Sequence, residues 1–204
     1  MTKIILTGPD LPPPVMERAR SAGATILSTG TVLPSTDLTA LIAHEQPDAI
    51  IVRLGALPQQ AIAASSRLQI IAKHGVGFDS IDVAAATSRG IPVTIAEGAS
   101  AQSVAEHALA LMLCVARRVP WLDSRVRAGH WDKTRTSGIE LAGRTVGVVG
   151  AGSIGLTLAR LVSLWDMRVL AYDPYVSPET NLNRVEMVGT LDELLERSDI
   201  VSLH

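Results

Sequence analysis

Short apolar runs alternate along the chain with stretches whose apolar positions recur three or four residues apart. KIILTG, ATILST, DAIIVRL, LQIIAKH and IPVTI have the composition and length of β-strands. DAIIVRL is apolar without interruption, as in a strand covered on both faces. Helical spacing is expected over Pro14–Ala22, Leu38–His44, Pro58–Ser65 and Ser80–Arg89, with Asp79 and Asp82 as candidate caps of the last. From Ser100 to Arg118 the sequence SAQSVAEHALALMLCVARR reads as one long helix. Ser103 and Glu106 have capping-box spacing there, with Ser100 as a competing N-cap. Arg117 and Arg118 suit its last turn, and Pro120 marks its end. Trp121 to Gly143 is more polar and lacks a clear period.

A second series follows. RTVGVVG reads as a strand, Ile154–Trp165 as a helix, MRVLAYD and VEMVG as strands, LDELLERS as a helix and DIVSLH as a strand. Repeated strand–helix alternation implies parallel sheets with helices on both faces. The chain is expected to form two α/β domains, residues 1–98 and 99–204, the second opening with the long helix.

Composition narrows the partners. The 204 residues are 47% hydrophobic and 19% charged, enough apolar material for a packed core. A net charge of −2 without a basic cluster argues against nucleic-acid or anionic-membrane binding, and 3% aromatic residues leave little for base stacking. Cys114, the single cysteine, lies in an apolar run and reads as a core residue in a reducing compartment. The longest apolar run, Ala108–Ala116, falls short of the ~18 residues that span a bilayer, and MTKIILTGPD is too weakly apolar for a secretory signal. A soluble cytoplasmic protein is expected. His44 and His130 lack metal-ligand spacing, so no metal is expected.

GAGSIG joins a strand to a helix, and its Gly150, Gly152 and Gly155 follow the spacing G-x-G-x-x-G. The first glycine permits a tight turn, the second a close approach of pyrophosphate, and the third close packing of helix on strand. The helix start would turn unpaired N–H groups of Ser153 and Ile154 toward phosphates. Asp173 ends the next strand, where a carboxylate can hold an adenosine ribose and repel a 2′-phosphate; this favours NAD over NADP. Asp173–Pro174 can also be read as a plain turn, and a methyltransferase would likewise place an acid after a second strand. Two further loops stand at strand ends. KHGVG is either an anion-binding nest beside Lys73 or a simple turn. Arg53, at the end of AIIVR, is either a ligand contact or a solvated arginine.

IIVRLGALP, IIAKHGVGFDSIDVAAATSRGIPV, SVAEHALALMLCVARRVP, RAGHWDKTRTSGIELAGRTVGVVGAGSIG and VLAYDPYVSPE together resemble the D-isomer-specific 2-hydroxyacid dehydrogenases, nearest the D-3-phosphoglycerate dehydrogenase branch. The resemblance covers most of residues 49–204. It implies a flavodoxin-like substrate domain and a Rossmann-type, doubly wound NAD domain. It also implies hydride transfer between nicotinamide and C2 of a small 2-hydroxy or 2-oxo acid. By resemblance, Lys73, Val76 and Gly77 face the substrate carboxylate, Val76 also borders the nicotinamide side, and Arg53 touches substrate. Gly150, Gly152, Ser153, Ile154, Gly155, Asp173 and Pro174 would hold the cofactor, with His204 at its border. Glu106 and His107 belong to the long helix in this pattern and are not read as an acid–base pair. A homodimer through the Ser100–Arg118 region is expected on the same ground.

The family's catalytic arginine, glutamate and histidine follow the strand that ends here at His204, so no catalytic residue is assigned within the chain. The NAD domain is expected to be incomplete, stopping after a fourth strand with DIVSLH as an exposed apolar edge, and residues 1–204 alone are expected to be inactive. A rival reading is a non-catalytic, NAD-sensing binding protein of the same fold, of the corepressor type.

Overall fold

The structure, a computed structural model, describes residues 1–180 and 182–204. It divides into two compact units, Met1–Ala99 and Ser100–His204.

In the first unit the strands are β1 (Thr2–Thr7), β2 (Ala24–Ser28), β3 (Ala49–Val52), β4 (Ile70–Lys73) and β5 (Val93–Thr94). The helices between them are α1 (Pro13–Ser21), α2 (Ser35–Glu45), α3 (Gln59–Ala63) and α4 (Val83–Ser88). The parallel sheet has the order β2-β1-β3-β4-β5, the flavodoxin-like arrangement. Register sets Ile5 beside Ile50 and Ile50 beside Ile71. All three are fully buried with Leu38, Ile42 and Ile62 in one core. Helix α4 begins later than Ser80 because Asp82 is its cap, accepting from the Ala85 N–H at 2.9 Å; Asp79 does not cap it.

The second unit holds α5 (Ala101–Ala116), α6 (Val119–Arg127), β6 (Thr145–Val149), α7 (Ser153–Ser163), β7 (Arg168–Tyr172), β8 (Val185–Met187), α8 (Leu191–Arg197) and β9 (Ile200–Leu203). Its parallel strands run β8-β7-β6-β9, which is the 3-2-1-4 portion of a doubly wound sheet. Ala105 and Met112 of α5 join Val146, Val148, Leu158, Val162 and Val169 in its core. Gly147 has no room for a side chain, because a Cβ there would collide with Leu194 and Ser198 around α8. In β9, Val201 is 40% and Leu203 75% exposed.

Two expectations are corrected. The capping box is not formed. Helix α5 starts at Ala101, which puts Ser103 inside the first turn; Ser100 takes the N-cap without a side-chain bond, and Glu106 accepts from Gln102 Nε2 at 2.6 Å instead. The aperiodic segment after Pro120 contains a helix. Arg118 adopts a left-handed φ of 55° that breaks the chain direction, and Pro120 falls in the first turn of α6, where its missing N–H costs nothing. The Arg118 guanidinium lies 4.6 Å from the Trp121 ring centre, and Arg125 binds Asp132 at 2.6 Å. These contacts, rather than apolar periodicity, hold the segment.

Candidate functional site

The glycine loop of the second unit sits at the carboxyl ends of β6, β7 and β9. Gly150 has φ +100°, a conformation that side chains resist, and a Cβ there would run into the His204 carbonyl. Its N–H donates to the Tyr172 carbonyl at 2.8 Å. A Cβ on Gly155 would strike the Gly150 carbonyl and Val148, so the third glycine allows α7 to rest on β6. Gly152 differs from both. It is the N-cap of α7, and a Cβ there would meet nothing within 4 Å. The loop is thus closed on the sheet side and open at its middle glycine. The Leu156 N–H closes on Gly152 O at 2.9 Å, so the N–H groups of Ser153, Ile154 and Gly155 precede the first closed turn. Open space, aligned N–H groups and a helix dipole fit a pyrophosphate.

Asp173 follows β7 and faces this loop. Its Oδ2 accepts from the Ala151 N–H at 2.9 Å, and its Oδ1 accepts from the Tyr175 N–H at 2.9 Å. Each oxygen keeps a further lone pair. Pro174 begins the turn beyond, and Tyr175 is 96% exposed. His204 is anchored by its N–H to Val149 O at 2.8 Å, and its Nε2 lies 2.9 Å from Ser202 Oγ. Burial lowers the pKa of its imidazole, which favours the neutral ring. The sequence-predicted residues Gly150, Gly152, Ser153, Ile154, Gly155, Asp173, Pro174 and His204 therefore gather at one end of this sheet.

In the first unit, Arg53 follows β3 and Lys73 ends β4 at the same edge, with Val52 and Lys73 in register. Arg53 is half-buried and partly engaged. Its Nη1 donates to the carbonyls of Pro9 and Asp10 at 2.9 Å each, which binds the loop after β1 and leaves its other donors unspent. After Lys73 the His74 N–H bonds Val52 O at 3.0 Å, Gly75 turns with φ 144°, and its carbonyl accepts from Ala96. Among the described residues no acceptor meets the N–H groups of Val76, Gly77 or Phe78. Asp79 lies close to Gly77, its Oδ2 at 3.6 Å from where a Cβ would be. That carboxylate opposes an anion here, while Lys73 favours one.

Sequence reading missed Thr7, whose hydroxyl donates to Leu54 O at 2.6 Å and accepts from the Arg53 N–H at 3.1 Å. It also missed the bond between Asp173 and Ala151. Neither has a local signal, since both partners meet only through strand pairing. Among the described residues no group of three or more His, Cys, Asp or Glu side chains could hold a metal, and no helix is long and apolar enough to cross a membrane.

Residues 109–204 match the family model for the D-isomer specific 2-hydroxyacid dehydrogenase, NAD binding domain. A D-3-phosphoglycerate dehydrogenase of Archaeoglobus fulgidus is 44% identical over 162 residues, covering 77% of this chain and 30% of the relative. A hydroxypyruvate reductase of Thermotoga maritima is 42% identical, covering 77% of this chain and 51% of the relative. The solved structure of an acyclic imino acid reductase in complex with NADPH and D-Arg superposes with a TM-score of 0.86 at 26% identity, over 100% of this chain and 65% of that one. The chain therefore spans only 30% and 51% of the lengths of these two curated relatives. Sheet order, glycine loop and relatives agree: the chain belongs to the D-isomer-specific 2-hydroxyacid dehydrogenase family, with its NAD-binding part in residues 109–204.

Proposed function

We propose that the protein carrying these residues is an NAD-dependent oxidoreductase that moves a hydride between nicotinamide and C2 of a small D-2-hydroxy or 2-oxo acid. The observation that carries this reading is the glycine loop, open at Gly152 and braced by Asp173. Residues 1–98 form the substrate domain and residues 99–204 the cofactor domain. Phosphoglycerate and hydroxypyruvate are the first substrates to test, because relatives bear those names.

The N–H groups of Gly152, Ser153 and Ile154 hold the pyrophosphate. The free lone pairs of Asp173 accept from ribose hydroxyls, and its charge opposes a 2′-phosphate. Pro174 and the neutral His204 border the same site. When bound, NAD supplies the hydride acceptor. The N–H groups of Val76 and Gly77, with Lys73 and the unspent donors of Arg53, hold the substrate carboxylate by charge-assisted hydrogen bonds. No residue of 1–204 is assigned the proton transfer. The protein works in the cytoplasm, where Cys114 stays reduced.

The protein pairs as a homodimer through the α5 region. Leu111 and Val115 stand 53% and 79% exposed there, beside the apolar edge of β9. Patches of this kind mark association surfaces.

The test is NADH binding by fluorescence, followed by hydride transfer with a panel of 2-oxo acids using the intact protein. Binding with turnover of at least one acid is the expected result. Absence of NADH binding would end the proposal, and binding without any turnover would favour a cofactor-sensing protein.

A further inference from the structure

Two hydrogen bonds tie the glycine loop to the end of β7. One is backbone to backbone, from Gly150 N–H to Tyr172 O at 2.8 Å. The other runs from the Ala151 N–H to Asp173 Oδ2 at 2.9 Å, between residues 22 positions apart. The second carboxylate oxygen of Asp173 holds its own turn through the Tyr175 N–H at 2.9 Å. Ala151 is buried, which raises the cost of leaving its N–H without a protein partner.

We propose that Asp173 is a positioning residue for the phosphate loop in addition to accepting from ribose. Its carboxylate holds the Ala151 N–H and sets the loop in the form that leaves Gly152 open and the Ser153 and Ile154 N–H groups in line. The Ala151 N–H is spent on this latch and does not serve the phosphates. The latch itself needs no ligand; its consequence for binding rests on the dinucleotide reading above. A carboxylate that only selected the ribose would, once neutralised, release NADH and admit NADPH. A latch gives the opposite result. The pyrophosphate is common to both dinucleotides, so losing the loop form weakens both, and neutralising Asp173 does not make an NADP protein.

The variant Asp173→Asn separates the two roles. Its amide has one acceptor oxygen and turns donors toward the other N–H, so it cannot hold Ala151 and Tyr175 together. Amide hydrogen exchange of cofactor-free protein reads the latch directly. In the wild type the Ala151 N–H is expected to be protected while those of Ser153 and Ile154 exchange freely. In Asp173→Asn, Ala151 exchange is expected to rise about tenfold or more, the loss of a charge-assisted bond, with the β6–β7 and β1–β3 ladders unchanged. NADH and NADPH dissociation constants are both expected to rise, that of NADH by the larger factor, because NADH also loses the ribose bonds while NADPH is freed of a charge that opposed its 2′-phosphate. An unprotected Ala151 N–H in the wild type would overturn the proposal, as would unchanged Ala151 exchange in the variant or NADPH binding that tightens as NADH weakens. Should the variant unfold, the wild-type exchange pattern still decides. Failure of the wild type to bind NADH would remove the dinucleotide reading while leaving the exchange result standing.

Discussion

Gly150 lies against the carbonyl of His204, so closely that a methyl group on its Cα would collide with that oxygen. The end of β9 therefore fixes the first residue of the phosphate loop from one side, as Asp173 fixes the second from the other. Binding at this site depends on strand ends as much as on the loop itself.

The glycines of the loop consequently separate by substitution. Gly150→Ala places a side chain at φ +100° and into His204, and is expected to lower stability by about 1–3 kcal/mol in denaturant unfolding. Gly152→Ala meets no protein atom within 4 Å. Its stability should stay within about 0.5 kcal/mol of the wild type while NADH affinity falls, because the added methyl occupies the opening meant for phosphate.

On the substrate side, Lys73→Met removes the charge beside the Val76–Gly77 loop while keeping an apolar stem. In the intact protein, KM for a 2-oxo acid is expected to rise about tenfold, with NADH affinity and unfolding midpoint unchanged. Steady-state kinetics with fluorescence titration checks this. An equal fall in NADH affinity would assign the lysine elsewhere.

The α5 surface makes a separate prediction. Val115 is 79% exposed, so Val115→Asp should leave stability within about 0.5 kcal/mol. A dimer through α5 would bury that carboxylate unpaired, and the variant should sediment as a monomer at concentrations where the wild type is dimeric.

Stability should also fall with acid in two stages. Burial lowers the His204 pKa, so the unfolded chain takes up that proton first, and folding weakens as pH drops through the ordinary histidine value of about 6.5. Four carboxyls titrate below their ordinary range, among them Glu45, lowered by the Lys3 side chain and then by His44. The Lys3 N–H, then the Arg67 side chain, lowers Asp48; the Arg125 side chain lowers Asp132; and the Thr145 N–H, then Arg144, lowers Asp199. For each, the folded state binds its proton less readily than the unfolded state. Their stabilisation is whole above about pH 4 and is lost as pH falls below it. Denaturant unfolding from pH 8 to 3 should show both limbs, and Asp48→Asn should shrink only the lower one.

Much of this molecule was legible along the chain. Strand and helix order in both units follows from apolar spacing, which reports only which side of an element meets the core. The glycine loop was legible from its spacing between a strand and a helix, although only Gly150 needs a left-handed backbone and Gly152 leaves open space instead. Helix α6 was not, since an ion pair, a ring contact and a left-handed Arg118 hold it, and none of these has a period. The expected capping box failed because the helix start shifted the serine inward.

The sequence by itself determined the alternation of strands and helices, the G-x-G-x-x-G spacing of Gly150, Gly152 and Gly155, and the family likeness. Tertiary structure alone decided that Arg53 braces Pro9 and Asp10, and that Asp173 reaches Ala151. The physical reason is range. Spacing encodes a residue's relation to its neighbours three or four places away, whereas these partners meet only once parallel strands have chosen their order and register.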